Sequence, residues 1–427
     1  MNVLTIGSGG REHAIGHSIA QSQTKHTQYF APGNAGTAML GTNAAIDIKD
    51  FSAIIQLCLS ANIHMLIIGP EEPLVNGLYD AIKEHQATKH IHVIGPSAQA
   101  AQLEGSKSFA KSFMHKYNVP TAAYQEYSKH NFEAGIEYIK QHALPIVLKA
   151  DGLAGGKGVI ICNTHIEAIA EFEMMIKFSK FGEAGNKVVV EQFLQGMECS
   201  LFAITDGTSY KLLPIAKDYK RIGVGDTGLN TGGMGAISPV PAITDALYQK
   251  IVTTIVEPTI HGIHQEGMVY TGFVFIGLTI VGNEPYVIEY NCRLGDPETE
   301  VVLPRLHNDL VDVFAQLTTG NLNQVTIQVD PRCAATIVAA SGGYPNYYNS
   351  GYIIKGLNTY NTQVSTVYIS GAIQDNDKVV SNSGRVLAVT SYGTTIAQAV
   401  ANSTATLSTV HFEDMYYRTD IGYEFIN

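Results

Sequence analysis

The chain has 427 residues and a formal net charge of −11, from 27 Lys and Arg against 38 Asp and Glu. Only 15% of the residues are charged, so long disordered tails are not expected, and the length predicts two to four domains of about 100–200 residues. The acidic balance argues against a nucleic-acid partner, which usually meets a basic patch, but it does not exclude a local anion site.

The first hundred residues alternate short apolar runs with helical patterns. The runs at 3–6, 65–68 and 92–94 are each followed by a glycine, and helical spacing of apolar residues lies between them. This alternation predicts a parallel sheet, and open α/β sheets bind ligands at the carboxyl-terminal edge of their strands. We expect a Rossmann-like domain over 1–104.

The middle of the chain begins with a helix and continues mainly as strands. Phe109, Phe113 and Tyr117 recur every four residues, which is typical of a helix that packs its aromatic face into a core. Apolar strand patterns follow up to residue 291, with a long helix at 247–265 and a hairpin across the turn at 282–285. The last hundred residues again show strands and one helix. We expect an α/β and α+β multidomain protein, with the last domain, over 328–427, a small α+β unit.

A glycine turn follows the first strand and opens a helix at Gly7–His13. Backbone N–H groups at such a turn can meet a phosphate, and the guanidinium of Arg11 suits an anionic oxygen. The dinucleotide fingerprint would need a glycine where Glu12 stands, so binding of a nicotinamide dinucleotide is disfavoured. A phosphate-binding turn and a plain strand-to-helix turn both remain open.

A second glycine loop lies between Lys149 and Gly158. Its spacing does not fit a Walker A loop, since Gly152 is one residue too close to Gly156-Lys157 and a strand, not a helix, follows. We interpret it as a flexible hairpin loop that can fold over a triphosphate. The alternative is a surface hairpin.

Two carboxylate-rich segments end later strands. Glu191-Gln192-Phe193-Leu194 follows a run of valines, and its backbone can read adenine while Glu198 accepts from ribose hydroxyls. Glu289 and Asn291 share one face of a strand and present two oxygen ligands suited to Mg²⁺. Arg293 and Asp296 follow on a glycine turn, and together these side chains predict a dense polar site. An ordinary strand end and an exposed turn are the respective alternatives.

A basic segment at 217–221, which includes Asp218 and Lys220, precedes a glycine-rich loop at 225–235. Long ordered loops often act as lids, although a solvated charge run with a flexible connector is also compatible with this pattern. No H-E-x-x-H motif of zinc enzymes and no nucleophile elbow occurs in the sequence.

Taken together, these motifs resemble the phosphoribosylamine–glycine ligases, also called glycinamide ribonucleotide synthetases, of the ATP-grasp superfamily. The resemblance runs nearly end to end, and its most specific marks are Asn230-Thr231-Gly232-Gly233-Met234-Gly235 and Gly295-Asp296-Pro297-Glu298. It implies an ATP-grasp fold over 105–327, with a mobile subdomain at about 120–190, between the two flanking domains.

The resemblance also implies a reaction. ATP, glycine and 5-phosphoribosylamine would give glycinamide ribonucleotide, ADP and phosphate through glycyl phosphate, in the second step of purine synthesis. No enzyme nucleophile is needed, so catalysis would consist of positioning and charge stabilisation.

Roles for individual residues follow from the same resemblance. Residues expected to bind ATP are Lys107, Lys149, Gly155, Gly156, Lys157, Gly158, Glu191, Phe193, Leu194 and Glu198. Residues expected to bind the other substrates are Gly9, Gly10, Arg11, Glu12, Glu71, Asp218, Lys220, Arg293 and Asp296, of which Arg293 and Asp296 are the catalytic candidates. Glu289 and Asn291 are expected to hold Mg²⁺ or Mn²⁺.

Three other functions stay open at this point: another ATP-grasp ligase such as a carboxylase subunit or a formate-dependent purine enzyme, a nicotinamide oxidoreductase, and a nucleotide sensor without turnover. The five cysteines are scattered without a C-x-x-C pair, which fits a reducing compartment. The longest apolar stretch, at 268–281, is shorter than the ~20 residues that a membrane helix needs. We expect a cytoplasmic protein with small-molecule substrates and no nucleic-acid or membrane partner. We expect a monomer, with a dimer as the alternative.

Overall fold

The computed structural model describes residues 1–357 and 363–426. Its N-terminal part is a parallel sheet with the strand order β3-β2-β1-β4-β5. The strands are β1 (Asn2–Gly7), β2 (Thr27–Pro32), β3 (Thr42–Asn43), β4 (Met65–Ile68) and β5 (His92–Ile94). The helices are α1 (Gly10–Ala20), α2 (Phe51–Ser60), α3 (Glu71–Val75), α4 (Leu78–Glu84) and α5 (Ala98–Gly105). The predicted parallel sheet is confirmed.

The register of this sheet brings its glycine turns together. Strand β1 pairs in parallel with β2 and β4, with Ile6 opposite Ile68. Both β1 and β4 are almost entirely buried, which explains their unbroken apolar sequence. The turns after β1 and β4 therefore lie side by side at the carboxyl-terminal edge, where α1 and α3 begin.

Residues 124–192 form a unit that we call the lid. Its sheet has the order β6-β9-β7-β8, and all of its strand pairs are antiparallel. Its elements are β6 (Tyr124–Ser128), α7 (Phe132–Gln141), β7 (Ile146–Ala150), β8 (Val159–Cys162), α8 (His165–Ile176) and β9 (Lys187–Gln192). The lid has its own apolar core, in which Phe172 stacks on Phe132 at 5.3 Å between ring centroids.

The central part follows α6 (Lys107–Lys116) and contains an antiparallel sheet with the order β11-β10-β16-β17. Its strands are β10 (Met197–Thr205), β11 (Tyr210–Leu212), β16 (Gly272–Val281) and β17 (Glu284–Asn291). The predicted hairpin is formed by β16 and β17. The helix predicted over 247–265 is present as one unbroken helical stretch, in which α9 (Asp245–Ile251) and α10 (Glu257–Gln265) are joined by a π-helical turn at Val252–Val256. Pro258 directly follows this π-helical turn and cannot donate a backbone N–H to it, which is a common cause of such an irregularity.

The C-terminal part is built on a mainly antiparallel sheet with the order β12-β15-β18-β22-β19, to which β23 adds beside β18. Its strands are β12 (Lys217–Asp218), β15 (Gly235–Ser238), β18 (Cys333–Ser341), β19 (Ser365–Ile369), β22 (Arg385–Gly393) and β23 (Met415–Tyr416). The remaining elements are the hairpins β13 (Arg221–Gly223) with β14 (Thr227–Asn230) and β20 (Ala372–Asp375) with β21 (Lys378–Ser381), and the helices α11 (Thr299–Val302), α12 (Leu310–Thr318) and α13 (Ile396–Leu407). Strands β12 and β15 come from the predicted 105–327 domain, so this sheet is shared between two stretches of chain.

The apolar cores show which parts of the chain pack against one another. One apolar cluster contains Leu4 and Leu66 of the N-terminal sheet together with Leu201 and Ile276 of the central sheet. The lid core draws only on residues between 127 and 190. In the described ranges, no helix combines the length and the apolar character needed to cross a bilayer.

We predict that Phe172→Ala loosens the lid and leaves the N-terminal sheet intact. Phe172 is fully buried, and truncation of a buried Phe costs about 3–5 kcal/mol. Hydrogen exchange should accelerate at the amides of β7 and β9 and stay unchanged in β1 and β4, because local openings follow local cores. Phe178→Ala is the matched control, since Phe178 also lies in the lid but is 67% exposed. Equal acceleration in β1 and β4 would contradict a separate lid core.

Candidate active site

Lys149 and Glu191 form a buried ion pair between neighbouring strands of the lid. Strands β7 and β9 place Val147 opposite Glu191, so Lys149, two residues further along β7, lies diagonally across on the same face. The Lys149 Nζ is 2.9 Å from Glu191 Oε2 and also donates to the carbonyl of Ile288 at 3.1 Å. The carboxylate of Glu191 thus neutralises the charge of a buried lysine.

The glycine loop between β7 and β8 is tied down at its base and open at its tip. Gly155 and Gly156 have φ of 56° and 76°, which favours glycine, and a Cβ at either would meet no atom within 4 Å. At the base, Asp151 accepts from Ser106 Oγ at 3.0 Å and from the Ser108 amide at 2.7 Å. Lys157 at the tip is exposed, and Gly158 at the start of the return is buried. The loop therefore begins beside Lys107, the first residue of α6.

Glu289 lies among cations near the end of β17, two residues before Asn291. Burial alone would raise the pKa of Glu289, but the charges of Lys220, Lys149, Lys107 and Arg293 lower it overall. Burial lowers the pKa of Lys107, and Glu289 opposes that shift. The predicted metal ligand thus carries its negative charge, with the amide of Asn291 on the same strand face.

A small pocket is lined by a second group of residues, several of which were predicted to lie in the site. Its lining includes Glu198, Ser200, Asp218, Lys220 and Glu289. Lys220 Nζ is 3.5 Å from Glu198, and the charge of Asp218 raises the pKa of Lys220. Burial raises the pKa of Asp218, since Lys220 offsets only part of that cost. The pocket thus places Lys220 beside the carboxyl groups of Glu198 and Asp218, with Glu289 also in the lining.

Glu298 lies next to this pocket, where its Oε1 accepts from Ser200 Oγ at 3.2 Å. Burial and then the neighbouring Asp218 raise the pKa of Glu298 to about 7. Phe193 and Leu194 lie half-buried in the connection from β9 to β10, close in sequence to Glu198.

Arg293 is clamped by acidic residues from two N-terminal helices. Its guanidinium is 2.8 Å from Glu104 at the end of α5 and 3.6 Å from Glu71 at the start of α3. It also donates to Asn291 Oδ1 at 3.3 Å. Burial would lower the pKa of Arg293, but Glu104 and Glu71 raise it. Sequence analysis assigned no role to Glu104, whose other oxygen accepts from the Cys292 amide at 2.7 Å.

In the glycine turn after β1, at Gly7–His13, carboxylates accept hydrogen bonds from the backbone and from Arg11. The Gly9 amide and the Arg11 guanidinium each donate to Glu12 at 2.6 Å, and the Arg11 amide donates to Asp296 at 3.3 Å. A Cβ on Gly10 would lie 2.2 Å from Glu300 Oε1, which explains glycine there. These contacts bring Gly9, Gly10, Arg11, Glu12 and Asp296 together, with acidic groups in the position predicted for a phosphate.

Arg385, on β22 of the C-terminal sheet, joins the two most specific motifs. Its Nη1 is 2.9 Å from the Asp296 carboxylate and donates to the backbone carbonyls of Asp296 and Gly232, both at 2.8 Å. It thereby holds the loops at 230–235 and 295–298 side by side.

Sequence reasoning missed three residues that organise the site: Lys111, Glu104 and Arg385. Glu104 lies in the segment Leu103–Lys107, whose sequence is similar to that of the family. This similarity is the only feature of the sequence that points to Glu104. Lys111 and Arg385 have no such feature, because the carboxylates with which they pair, Glu191 and Asp296, lie far away along the chain. Of the described residues, no three His, Cys, Asp or Glu side chains group as a metal site.

The lid, the glycine loop and the central sheet define the class of protein: an enzyme of the ATP-grasp fold. The same fold is seen in the biotin carboxylase domain of a 2-oxoglutarate carboxylase from Hydrogenobacter thermophilus, with a TM-score of 0.75 over 97% of this chain and 91% of that one at 16% identity. A structure of phosphoribosylamine–glycine ligase from Thermotoga maritima matches with a TM-score of 0.82 over 98% and 100% at 33% identity.

Family models and curated relatives narrow this class. Models of phosphoribosylglycinamide synthetase match residues 1–104 (N domain), 105–299 (ATP-grasp domain) and 334–424 (C domain). Relatives named phosphoribosylamine–glycine ligase are 43% identical in Yersinia pestis and 42% in Escherichia coli K12, over 100% of this chain and 99% of each relative. The chain belongs to the phosphoribosylglycinamide synthetase family.

We predict that Arg385→Met frees both loops that Arg385 holds. Hydrogen bonds to a charged group contribute about 1.5–3 kcal/mol, so the amides at 232–235 and at 296 should exchange about 10- to 100-fold faster. Arg332→Met is the control, because it removes a salt bridge to Asp330 elsewhere on the C-terminal part. Unchanged exchange in Arg385→Met would show that other contacts hold the loops.

Proposed function

We propose that this protein joins glycine to 5-phosphoribosylamine at the expense of ATP, giving glycinamide ribonucleotide, ADP and phosphate through glycyl phosphate. The observation that carries the proposal is full-length similarity to phosphoribosylamine–glycine ligases, combined with a site of buried lysines and arginines around Glu289. The biotin carboxylase domain is only 16% identical, so its similarity shows the fold alone, whereas the phosphoribosylamine–glycine ligases are 42–43% identical.

ATP is proposed to bind between the lid and the central sheet. Lys107 and Lys149 meet its phosphates, and the loop Gly155–Gly158, with Lys157, closes over them. The backbone of Glu191, Phe193 and Leu194 reads adenine, and Glu198 accepts from the ribose. The burial of Lys149 supports this arrangement, since an ammonium removed from water interacts more strongly with phosphate.

The residues present fit a hard divalent cation, which we propose to be Mg²⁺ or Mn²⁺ held by Glu289 and Asn291. The neighbouring cations keep Glu289 ionised, and Mg²⁺ commonly takes one or two protein oxygens and completes its shell with phosphates and water. A bound cation of this kind neutralises charge on the transferring phosphoryl group.

Glycine is proposed to lie between Arg293 and the pocket of Asp218 and Lys220. Arg293 stabilises the phosphoryl and acyl-phosphate oxygens, and Asp218 and Asp296 orient the amine of glycine. Of these two, Asp218 lines the pocket, whereas Asp296 already contacts Arg385 and the Arg11 amide. The phosphoribosyl group is proposed to bind at Gly9, Gly10, Arg11, Glu12 and Glu71.

The chemistry consists of two displacements. A carboxylate oxygen of glycine attacks the γ-phosphorus, the bond to the bridging oxygen breaks, and ADP leaves. The amine of phosphoribosylamine then attacks the carbonyl carbon of glycyl phosphate, loses a proton, and phosphate leaves. Neither step needs an enzyme nucleophile, so the side chains act by positioning and by charge stabilisation.

We further propose that the lid, which corresponds to the mobile subdomain predicted at about 120–190 of the 105–327 domain, moves when nucleotide binds, while the 1–104 and 328–427 domains stay fixed to the central sheet. We propose a cytoplasmic monomer, with a dimer as the alternative. The five free cysteines support a reducing compartment.

The proposed function predicts phosphate release from ATP that requires both glycine and freshly made phosphoribosylamine, with glycinamide ribonucleotide detected by mass spectrometry. Bicarbonate and formate in place of glycine are the controls for other ATP-grasp ligases. Turnover that depends on bicarbonate or formate and not on glycine would contradict the proposal. Binding of ATP without any turnover would instead favour a nucleotide sensor.

We predict that Glu289→Ala lowers kcat/KM by at least ~100-fold, because the cation loses its carboxylate and with it several kcal/mol of charge stabilisation. Binding of Mn²⁺ in the presence of a non-hydrolysable ATP analogue, followed by electron paramagnetic resonance, should weaken in parallel. Glu284→Ala is the control on the same strand, since Glu284 pairs with Lys250 at the surface. Near wild-type turnover of Glu289→Ala at low Mg²⁺ would remove Glu289 from the metal site.

A further inference from the structure

The carboxylate of Glu191 has two lysine partners, and only one of them is proposed to meet a substrate. Lys149 approaches Oε2 at 2.9 Å, and Lys111 approaches Oε1 at 3.3 Å. Glu191 is 3% exposed and Lys111 2% exposed, so all of this charge lies inside the protein. Removing Glu191 would leave two buried ammonium groups without their carboxylate, whereas removing one lysine leaves the other to pair with Glu191.

Lys111 belongs to the body of the molecule and not to the lid. It is on α6, and its ammonium donates to Thr121 Oγ1 at 2.8 Å and to the carbonyl of Ala122 at 3.3 Å. The ring of Tyr124, the first residue of β6, lies 5.3 Å from its Nζ. The side chain is thus fixed by contacts that involve neither the pocket nor the glycine loop.

These contacts lie where the lid is attached. The chain enters the lid at Tyr124 and leaves it after Gln192, and Tyr124 is paired with Glu191. Just before the entry, Thr121 Oγ1 donates to the carbonyl of Val287 on β17 at 2.7 Å. Lys111 therefore contacts the incoming connection through Thr121 and the outgoing one through Glu191.

The charge balance at this attachment changes when ATP binds. This inference rests on the proposed function, in which Lys149 contacts the ATP phosphates. Lys149 then pairs more weakly with Glu191. We propose that Lys111 is a positioning residue that keeps Glu191 paired while Lys149 engages ATP, and so holds the lid attachment in the geometry that binds nucleotide. Without Lys111, Glu191 competes with the phosphates for Lys149.

The test compares Lys111→Met with Lys116→Met, which lies on the same helix but has a side chain 63% exposed and pairs with Glu266 at the surface. Truncation of one partner of a buried charge pair should raise the KM for ATP by about 10- to 100-fold, with the KM for glycine changed less than about threefold. Lys116→Met should keep wild-type values. Lys111→Arg retains the cation and should restore most of the ATP affinity.

A double variant separates this role from a merely structural one. In Lys111→Met combined with Glu191→Gln, no buried carboxylate competes for Lys149, so its KM for ATP should return to that of Glu191→Gln alone. In Lys111→Met alone, Glu191 still pairs with Lys149 at 2.9 Å, so the single variant leaves no buried carboxylate unpaired and is expected to fold. A double variant with a higher KM for ATP than Glu191→Gln alone would overturn the proposal.

The outcome also separates this inference from the proposed function. Wild-type protein without glycine-dependent ATP turnover would sink the proposed function itself. Wild-type turnover together with an unchanged KM for ATP in Lys111→Met would sink only the role of Lys111.

Discussion

The pairing of buried charges is the constraint on which the site depends. A carboxylate or ammonium taken out of water costs several kcal/mol unless an opposite charge meets it. Glu191 is held by Lys149 and Lys111, and Arg293 is held by Glu104. Because these groups are paired before any substrate arrives, an anionic substrate must exchange partners with the protein. Affinity for ATP then depends on how well Lys111 pairs with the Glu191 carboxylate once Lys149 contacts ATP.

The same pairing ties separate parts of the chain into one site. Arg293 follows the central sheet, and its partner Glu104 ends the last helix of the N-terminal part. Arg385 belongs to the C-terminal sheet, and its partner Asp296 follows the central sheet. On the proposed function, the polar groups that meet two phosphorylated substrates come from three stretches of chain, and an acidic protein can in this way offer local positive charge to anions.

Local patterns carried much of the fold and the outline of the site. Strand alternation predicted Glu289 beside Asn291, and glycine spacing predicted the loop after Lys149. The sequence could not indicate Arg385, since its partner Asp296 lies 89 residues away and the hydrogen bonds form only when two sheets meet. The pairing of Glu191 was equally hidden: the sequence predicted a backbone contact to adenine at this strand end and gave no sign that the carboxylate compensates two lysines. Non-local charge compensation leaves no periodic signal in a sequence.

On the proposed function, glycine is activated by direct phosphoryl transfer, and the protein side chains only position the substrates and neutralise charge. The most direct measurement uses glycine labelled with heavy oxygen in its carboxylate, together with ATP and phosphoribosylamine, and analyses the released phosphate by mass spectrometry. One heavy oxygen atom is expected in each phosphate. The carboxylate oxygen that attacked phosphorus stays bonded to it when the amine of phosphoribosylamine displaces the phosphate from the glycyl carbon. Unlabelled phosphate with glycinamide ribonucleotide still formed would contradict glycyl phosphate as the intermediate.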